Sequence, residues 1–490
     1  MNIAILVTSL NSGGAERIAG LLSKELSKEY TVYLFLLSTE NIVYEYGGTI
    51  VDVGVVNPFY EEAILYYKQK YKIEVSISFL EIMNFANIRT KRNDRVIVSE
   101  RCTQSLIYPA LKAQTYKIKK YYPYADEVVA CSWGVKFDLE KNYGIRNEIS
   151  VIYNFINKDN ILSKAKEKLD CNLEEFLEGK EFFVNVGRLH EQKNQHRLIE
   201  QFEVFHKKNK NYKLLIIGSG ELQQELTSLI EKKKMENSIK IIPYISNPFA
   251  IIKRAKAMIV SSHYEGLPNA ILEAMTIECP IVSTDCLAGP RELLADCIDY
   301  NVALDPIYIG KRGILVSDSK SENIKTTTYM ADALLRIAED DELRKRLCEN
   351  QKNYIEQYEN INIIKKWVSI IKKVKSNQGN DKGFENENID SEKKVFIYGA
   401  GKIGTSYYNY LKDSYQIEGF IITQKEGEKD FYMGIPVYEI EDFPFNSNEV
   451  QIIIGVGDNT QDEVVRTLNR KGYRNIIFPS LNLNKMEEQK

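Results

Sequence analysis

SHYEGLPNAILEAM, residues 262–275, is the stretch that decides the fold class of this chain. It follows a short run, residues 257–261, that is typical of a buried strand. Pro268 stands where the first position of a helix accepts proline, since that position makes no use of a backbone N–H. The stretch therefore predicts a strand, a tight turn and a helix, the repeating unit of parallel sheets that are covered by helices.

The turn itself has the features of an anion site. Gly266 permits a close approach of the backbone to a ligand. The amides of Leu267, Asn269 and Ala270 lie at the positive end of the predicted helix, where backbone N–H groups have no partner within the helix. We expect a phosphate group to bind here.

Two glutamates flank this turn. Glu265 lies just before the helix and Glu273 about one turn inside it, so both carboxylates can border one pocket and accept hydrogen bonds from hydroxyl groups. A phosphate between two hydroxyl-rich ends describes a sugar nucleotide. An ordinary strand–turn–helix unit with exposed glutamates is the alternative for a lone glycine followed by proline, but the whole string is more specific.

The whole string resembles the E-x7-E signature of the retaining glycosyltransferases of family 4, which have the GT-B fold. The resemblance implies that Glu265 contacts the donor sugar and that Glu273 holds the ribose. It covers roughly residues 1–375, because several other motifs stand in the family's order.

One of these motifs is SGGAER at residues 12–17, which follows the first predicted strand and opens a helix. A glycine turn at this point is common in any doubly wound domain. Together with the E-x7-E string, however, it resembles the Gly-rich donor and acceptor loop of the family. The resemblance gives Gly14 a role in the site.

A further motif is GRLHEQKN at residues 187–194, which resembles the diphosphate clamp of the family. Arg188 and Lys193 are close enough across a short loop to reach one ligand, and two cations with a helix end can balance a diphosphate without a metal. Tyr244 and Ile245 fall where members of the family pack the nucleotide base.

Two more segments match less completely. Residues 99–101, Ser-Glu-Arg, resemble the Ser-Glu-Arg-Asn element of polysaccharide-forming members, but Cys102 replaces the asparagine. A part for Glu100 or Arg101 in acceptor binding is therefore left open. GPRE at residues 289–292 resembles the G-P-x-E turn of the family.

Alternating apolar runs and helical patterns predict two facing, doubly wound Rossmann-like domains. They comprise an acceptor-side domain at residues 1–157 and a donor-nucleotide domain at residues 158–360, with a helix at 361–375 crossing back onto the first. Residues 376–393 are rich in Asn, Lys, Glu and Gly and are interpreted as a linker. Residues 394–490 are predicted to form a third, smaller Rossmann-like domain.

The third domain carries G-x-G-x-x-G at residues 399–404, between a predicted strand and a predicted helix. The next strand ends in Thr423 and Gln424, where an NAD site would have an acidic residue for the ribose. The domain is also small for a complete oxidoreductase. We therefore favour nucleotide or sugar-nucleotide sensing, or a docking role, over redox chemistry.

Composition limits the class of protein. A length of 490 residues predicts two to four domains, and a net charge of -3 gives no global sign of nucleic-acid binding. The seven scattered cysteines indicate reduced thiols in the cytoplasm, and no apolar segment is long enough to span a membrane. Cations and aromatic rings mix at 89–95 and 116–124, which suits peripheral contact with the inner face of the cell membrane, although a solvated helix face is the slightly favoured interpretation.

These observations predict a retaining glycosyltransferase that needs no metal ion or cofactor. Its substrate would be a nucleotide-diphosphate sugar, with UDP as the default nucleotide, and its acceptor a glycan or lipid-linked sugar of a surface polysaccharide such as a capsule. Glu265, Arg188 and Lys193 would carry the chemistry. The alternatives are a noncatalytic sugar-nucleotide-binding partner of another glycosyltransferase and, less favoured, NAD-linked chemistry in the third domain.

Overall fold

The computed structural model describes three α/β units, each built on one sheet. Two doubly wound units and a smaller third one were expected from the sequence, and this prediction is confirmed. The predicted linker, residues 376–393, lies outside the described residues except at its last few positions. The structure describes residues 1–11, 13–56, 60–107, 112–168, 171–317, 328–373, 390, 392–413, 415–424, 430–456 and 458–477.

The first sheet has seven strands, and all of their pairings are parallel. The strands are β1 (Asn2–Val7), β2 (Thr31–Leu36), β3 (Thr49–Asp52), β4 (Val75–Phe79), β5 (Arg95–Glu100), β6 (Glu127–Ala130) and β7 (Ile149–Val151), in the order β3-β2-β1-β4-β5-β6-β7. The helices are α1 (Gly14–Leu26), α2 (Tyr60–Lys70), α3 (Glu81–Arg89), α4 (Gln104–Ile107), α5 (Lys112–Tyr121) and α6 (Trp133–Tyr143). Residues 3–7 of the central strand β1 are fully buried, because helices cover both faces of the sheet.

The second sheet repeats this arrangement and adds one antiparallel edge strand that the sequence did not predict, β13 (Ile307–Ile309), which pairs with β14 (Ile314–Val316). Its strands are β8 (Glu181–Val186), β9 (Tyr212–Ile217), β10 (Ile239–Ile242), β11 (Ala257–Val260), β12 (Ile281–Thr284), β13 (Ile307–Ile309) and β14 (Ile314–Val316), in the order β10-β9-β8-β11-β12-β14-β13. The helices are α7 (Lys158–Lys164), α8 (Cys171–Leu177), α9 (Gln195–Lys208), α10 (Gln223–Lys232), α11 (Phe249–Arg254), α12 (Asn269–Thr276), α13 (Pro290–Leu294), α14 (Tyr329–Glu339), α15 (Asp341–Tyr354) and α16 (Asn360–Ile371).

Helix α16 packs on the first sheet, although it follows the second in the chain. Ile363 and Trp367 are fully buried within the first core, where the Trp367 ring lies 6.1 Å from the ring of Phe79. Arg95 donates a hydrogen bond of 2.9 Å to the carbonyl of Lys373, just after the helix. The chain therefore crosses between the two units twice.

The third unit is built on a six-stranded sheet, and its last helix, α18 (Asp458–Arg470), packs against α5 of the first unit. A Cβ added at Gly404 would lie 1.8 Å from the carbonyl oxygen of Gly399, so the glycine motif serves close packing of helix and strand. Its elements are β15 (Lys394–Tyr398), α17 (Lys402–Leu411), β16 (Ile417–Ile422), β17 (Phe431–Tyr432), β18 (Ile435–Glu439), β19 (Val450–Ile454), α18 (Asp458–Arg470) and β20 (Ile476–Ile477), with the strand order β17-β18-β16-β15-β19-β20.

Short 3-10 turns complete the described structure at Gly54–Val56, Tyr122–Tyr124, Glu191–Lys193 and Ile355–Tyr358. Within the described ranges, none of the helices combines the length and the apolar character needed to cross a bilayer.

Candidate active site

The predicted site residues lie at the carboxyl ends of the strands, where the first two units face each other. In parallel sheets these ends collect the loops that bind ligands. The loop from β11 to α12 and the loop from β8 to α9 come from the second unit. The loop from β1 to α1 and the end of β5 come from the first.

Glu265 is buried, and its carboxylate is fixed by two donors. Oε1 accepts a hydrogen bond of 2.6 Å from Lys193 Nζ and another of 2.6 Å from the hydroxyl of Ser262. The hydroxyl of Ser261 in turn donates to the carbonyl of Lys193 at 2.7 Å, which ties the two loops together. Glu265 is therefore in direct contact with Lys193, one of the two cations of the clamp motif.

Gly266 lies against the other domain. A Cβ added at this position would stand 1.9 Å from the carbonyl oxygen of Arg101, at the end of β5. The hydroxyl of Thr103 donates to the carbonyl of Glu265 at 3.3 Å. The absence of a side chain at Gly266 thus permits the close approach of two backbones, one from each domain. The expected approach of a ligand to this glycine stays a prediction.

Helix α12 begins at Asn269, one residue later than predicted, so Pro268 immediately precedes it. Asn154 of the first domain reaches this N-terminus. Its Nδ2 donates to the carbonyl of Leu267 at 3.0 Å and to Oδ1 of Asn269 at 2.6 Å. Ala270, the second residue of the helix, is partly exposed.

The first turn of α1 faces the same helix from the other side of the cleft. A Cβ on Gly14 would lie 3.3 Å from Nδ2 of Asn269. Nη1 of Arg17 is 2.6 Å from Oε1 of Glu273, whose side chain is 8% exposed. The carboxylate expected to hold the ribose is therefore paired with a cation of the opposite domain.

Arg188, the other cation of the clamp, has an exposed side chain. Its carbonyl accepts a hydrogen bond of 2.9 Å from Nε2 of Gln195, which fixes the loop below it. Burial raises the pKa of Glu16 in α1, and the positive charge of Arg188 partly offsets this rise. The charge of Arg188 therefore contributes to the electrostatic environment of the first turn of α1.

Tyr244 and Ile245 follow β10 at the rim. The side chain of Tyr244 is 69% exposed, and its backbone N–H donates to the hydroxyl of Ser219 at 3.1 Å. Ile245 is partly buried against the adjoining core. The structure places these two residues beside the site, and their contact with a base stays a prediction.

Glu100 is enclosed at the end of β5. Its carboxylate accepts hydrogen bonds from the hydroxyl of Tyr122 at 2.6 Å and from Nε2 of Gln104 at 2.9 Å. Burial, with a smaller contribution from the charge of Glu81, raises the pKa of Glu100 to about 7. Arg101 points elsewhere and donates to Oδ1 of Asn154.

A second contact between the domains involves Glu292 of the GPRE turn. Its buried carboxylate accepts hydrogen bonds from the backbone N–H groups of Trp133 at 2.9 Å and Gly134 at 3.2 Å, in the first turn of α6. Tyr300 donates to it at 2.7 Å. A Cβ on Gly134 would lie 2.3 Å from Cα of Ala288, so the backbones meet closely here as well.

Sequence reasoning assigned no role to Arg17, Asn154 or Glu292. Arg17 carried a usable signal, because a cation in the first turn of a helix is disfavoured by the helix dipole and so calls for an anionic partner. Asn154 marked only a pause in the hydrophobic pattern. Glu292 belonged to a motif whose partner, the N-terminus of α6, lies far away in the sequence.

Within the described residues, no group of three or more His, Cys, Asp and Glu side chains could hold a metal ion. The expected independence of a metal stays a prediction, as do the individual roles of the site residues.

Known proteins resemble this chain in sequence and in fold. Residues 172–354 match the family described as "Glycosyl transferases group 1". An uncharacterized glycosyltransferase of Methanocaldococcus jannaschii is 32% identical over 264 residues, which cover 52% of this chain and 65% of that one, just under two thirds. A Campylobacter jejuni protein named N-acetylgalactosamine-N,N'-diacetylbacillosaminyl-diphospho-undecaprenol 4-alpha-N-acetylgalactosaminyltransferase is 27% identical over 382 residues, covering 74% of this chain and 96% of that one.

Solved structures agree with these sequence matches. HepE of Anabaena, crystallised with UDP and glucose, superposes with a TM-score of 0.61 at 15% identity and covers 76% of this chain and 99% of that one. Sucrose-phosphate synthase of Thermosynechococcus elongatus superposes with a TM-score of 0.61 at 14% identity and covers 75% of this chain and 98% of that one. The comparisons support a GT-B glycosyltransferase. The predicted GT-B fold is confirmed, whereas membership of family 4 stays a prediction.

Proposed function

We propose that this chain is a retaining glycosyltransferase that uses a nucleotide-diphosphate sugar, with UDP as the nucleotide, and needs no metal ion. Its acceptor would be a glycan or a lipid-linked sugar of a surface polysaccharide. The Campylobacter relative, whose name specifies an acceptor linked to undecaprenol diphosphate, supports the acceptor class. HepE, whose crystals contain UDP and glucose, supports the nucleotide.

The single observation that carries the proposal is the convergence of charged groups at the N-terminus of α12. Glu265 and Lys193 meet at 2.6 Å beside this terminus, and Glu273 lies within its first two turns. A helix N-terminus with adjacent cations binds a diphosphate, and carboxylates bind hydroxyl groups. The same cluster therefore offers groups that suit the donor sugar, the diphosphate and the ribose of a sugar nucleotide.

The chemistry needs no nucleophile from the protein. The bond between the anomeric carbon and the diphosphate oxygen breaks, and the acceptor oxygen attacks the carbon from the same face. Attack from this face retains the configuration, and the acceptor proton passes to the departing diphosphate. Arg188 and Lys193 would stabilise the negative charge on the leaving group, which is a large contribution to catalysis when the charges are held in place beforehand.

Glu265 would hold and polarise the donor sugar. Since its carboxylate is buried and oriented by Lys193 and Ser262, little reorganisation is needed when the donor arrives. The contact of Gly266 with the Arg101 backbone places the first domain next to this carboxylate, and the acceptor would approach from that domain.

The experiment is mass-spectrometric detection of transfer from a panel of UDP-, GDP- and ADP-sugars, with a membrane extract as the acceptor source and EDTA present. We expect one donor to be consumed by the wild-type protein and by Glu236→Gln, a control at an exposed glutamate, and far more slowly by Glu265→Gln. Binding of a donor without turnover would instead indicate the noncatalytic partner. Turnover that EDTA abolishes would contradict metal independence.

A further inference from the structure

The cluster of charges at the donor site is compensated within the protein. Lys193 pairs with Glu265 at 2.6 Å, and Arg17 pairs with Glu273 at 2.6 Å. The charge of Arg188 acts on Glu16. Two cations thus pair with two carboxylates, and the pairing of Arg17 with Glu273 crosses from one domain to the other. A bound diphosphate would add negative charge beside both pairs.

Arg17 is the unexpected member of this cluster. It lies in the first turn of α1, where the helix dipole opposes a cation. Its guanidinium nevertheless reaches across the cleft to Glu273, and the charge of Glu273 is the main cause that raises the pKa of Arg17. The position is therefore stabilised by a residue of the opposite domain.

The placement of Arg17 directs it toward the expected phosphate position. Residues three apart on a helix are neighbours on its surface, so Arg17 lies beside Gly14. Gly14 approaches Asn269, the first residue of α12. The side chain of Arg17 remains 38% exposed, while that of Glu273 is only 8% exposed. The arginine can consequently move toward a ligand more easily than the glutamate can.

Its chemistry suits an exchange of partners. The contact with Glu273 uses Nη1, and a guanidinium has five N–H donors in a planar fork that matches phosphate oxygens. A carboxylate released from an arginine can accept hydrogen bonds from two hydroxyl groups. Arg17 is thus complementary to the diphosphate of the donor, and Glu273 to its ribose.

We infer that Arg17 is a third diphosphate-binding cation, contributed by the first domain, which leaves Glu273 when the donor binds and so frees this carboxylate for the ribose. The inference rests on the proposed function of the site. It goes beyond that function because it adds a diphosphate contact from the first domain, whereas Arg188 and Lys193 of the clamp belong to the second. Donor binding then draws the first domain onto the nucleotide.

The test compares a nucleoside diphosphate with its nucleoside. Calorimetric titration measures binding of UDP, GDP and ADP, and NMR titration measures the corresponding nucleosides at millimolar concentration. The variants are Arg17→Gln, Arg17→Lys and, as a control at an exposed arginine of the same domain, Arg146→Gln. Thermal melting of each variant without ligand shows whether the fold is retained.

We expect Arg17→Gln to weaken binding of the diphosphate about 10- to 100-fold, the range of a lost charge-assisted hydrogen bond, with a smaller loss for Arg17→Lys. Nucleoside binding should stay unchanged or become tighter, because Glu273 is released. Arg146→Gln should behave as wild type.

Equal weakening of diphosphate and nucleoside by Arg17→Gln would overturn the inference, because it would show that Arg17 only positions Glu273. Unchanged diphosphate binding would also overturn it. Failure of the wild-type protein to bind any of the three diphosphates would contradict the proposed function itself, a result that is distinct from either of these.

Discussion

The N-termini of α6 and α12 both meet the opposite domain, and they differ in what satisfies them. The first turn of α6 receives the carboxylate of Glu292, which is 2% exposed and held by several donors. The first two turns of α12 are bordered by cations that stay partly exposed, with Lys193 at 22% and Arg17 at 38%. The first terminus is filled by the protein, whereas the second has groups that an incoming anion can recruit.

This difference distinguishes a fixed contact from a ligand site. Both use the affinity of a helix N-terminus for negative charge. Both also use a glycine for close backbone approach, Gly134 in one and Gly266 in the other. The buried Glu292 carboxylate accepts hydrogen bonds from four donors, so its displacement would be costly. The α6 contact is therefore suited to fixing the orientation of the domains. The α12 cluster is suited to exchange.

The largest effect is expected at the proposed ligand site beside the N-terminus of α12. Glu265→Gln removes the charge that Lys193 and Ser262 orient, and we expect turnover to fall roughly 10²- to 10³-fold, as when a preorganised electrostatic contact is lost. Initial rates with the donor identified by the panel measure this. Glu236→Gln is the matched control, and equal rates for Glu265→Gln and wild type would remove Glu265 from the chemistry.

Breaking the fixed contact should affect stability first. Glu292→Ala leaves the N–H groups of Trp133, Gly134 and Gly289 without their carboxylate partner, and we expect the free energy of unfolding to fall by about 2–4 kcal/mol. Urea denaturation checks this. UDP affinity of the folded variant should change less than it does in Arg188→Gln. Unaltered stability would show that the α6 contact is dispensable.

Glu100 offers a test that depends on pH, next to the Arg101 carbonyl that Gly266 approaches. Its pKa is raised by burial from about 4.5 to about 7, so between these values the folded state keeps a proton that the unfolded state has lost. Stability should therefore decrease as the pH rises through this range, by about 3 kcal/mol in total. Glu100→Gln should remove this contribution, and parallel pH profiles of stability for variant and wild type would contradict it.

The smallest effect is expected at the rim. Tyr244→Ala removes a side chain that is 69% exposed, so the melting temperature should not change. If the ring packs on the base, the dissociation constant for UDP should rise by roughly 3- to 10-fold, the value of an aromatic contact of about 1 kcal/mol. Calorimetric titration measures this. Unchanged affinity would place the base elsewhere.

Much of this architecture could be predicted from the sequence because its determinants are local. The continuous apolar runs gave the parallel strands, and the string from Glu265 to Glu273 gave the turn and the helix. The strand β13 and the pair β17 and β18 were missed because they lie at or next to sheet edges, where their residues are mostly only partly buried and no long apolar run marks them.

The contacts between domains were not predictable in the same way. Arg17 and Glu273 are 256 positions apart, and Glu292 lies 159 positions from Trp133. No local pattern links such pairs, since the packing of one domain on the other decides them. Gly266 illustrates this. The sequence predicts that a ligand can approach its backbone closely, but it does not predict that the Arg101 carbonyl of the other domain lies there.

A crystal structure with bound UDP tests the central claim most directly. We predict the diphosphate at the N-terminus of α12, within hydrogen-bonding distance of Arg188, Lys193 and Arg17, with Glu273 on the ribose and Glu292 still on α6. UDP bound instead at residues 399–404 of the third unit, or a diphosphate at α12 that neither Arg188 nor Lys193 contacts, would contradict it.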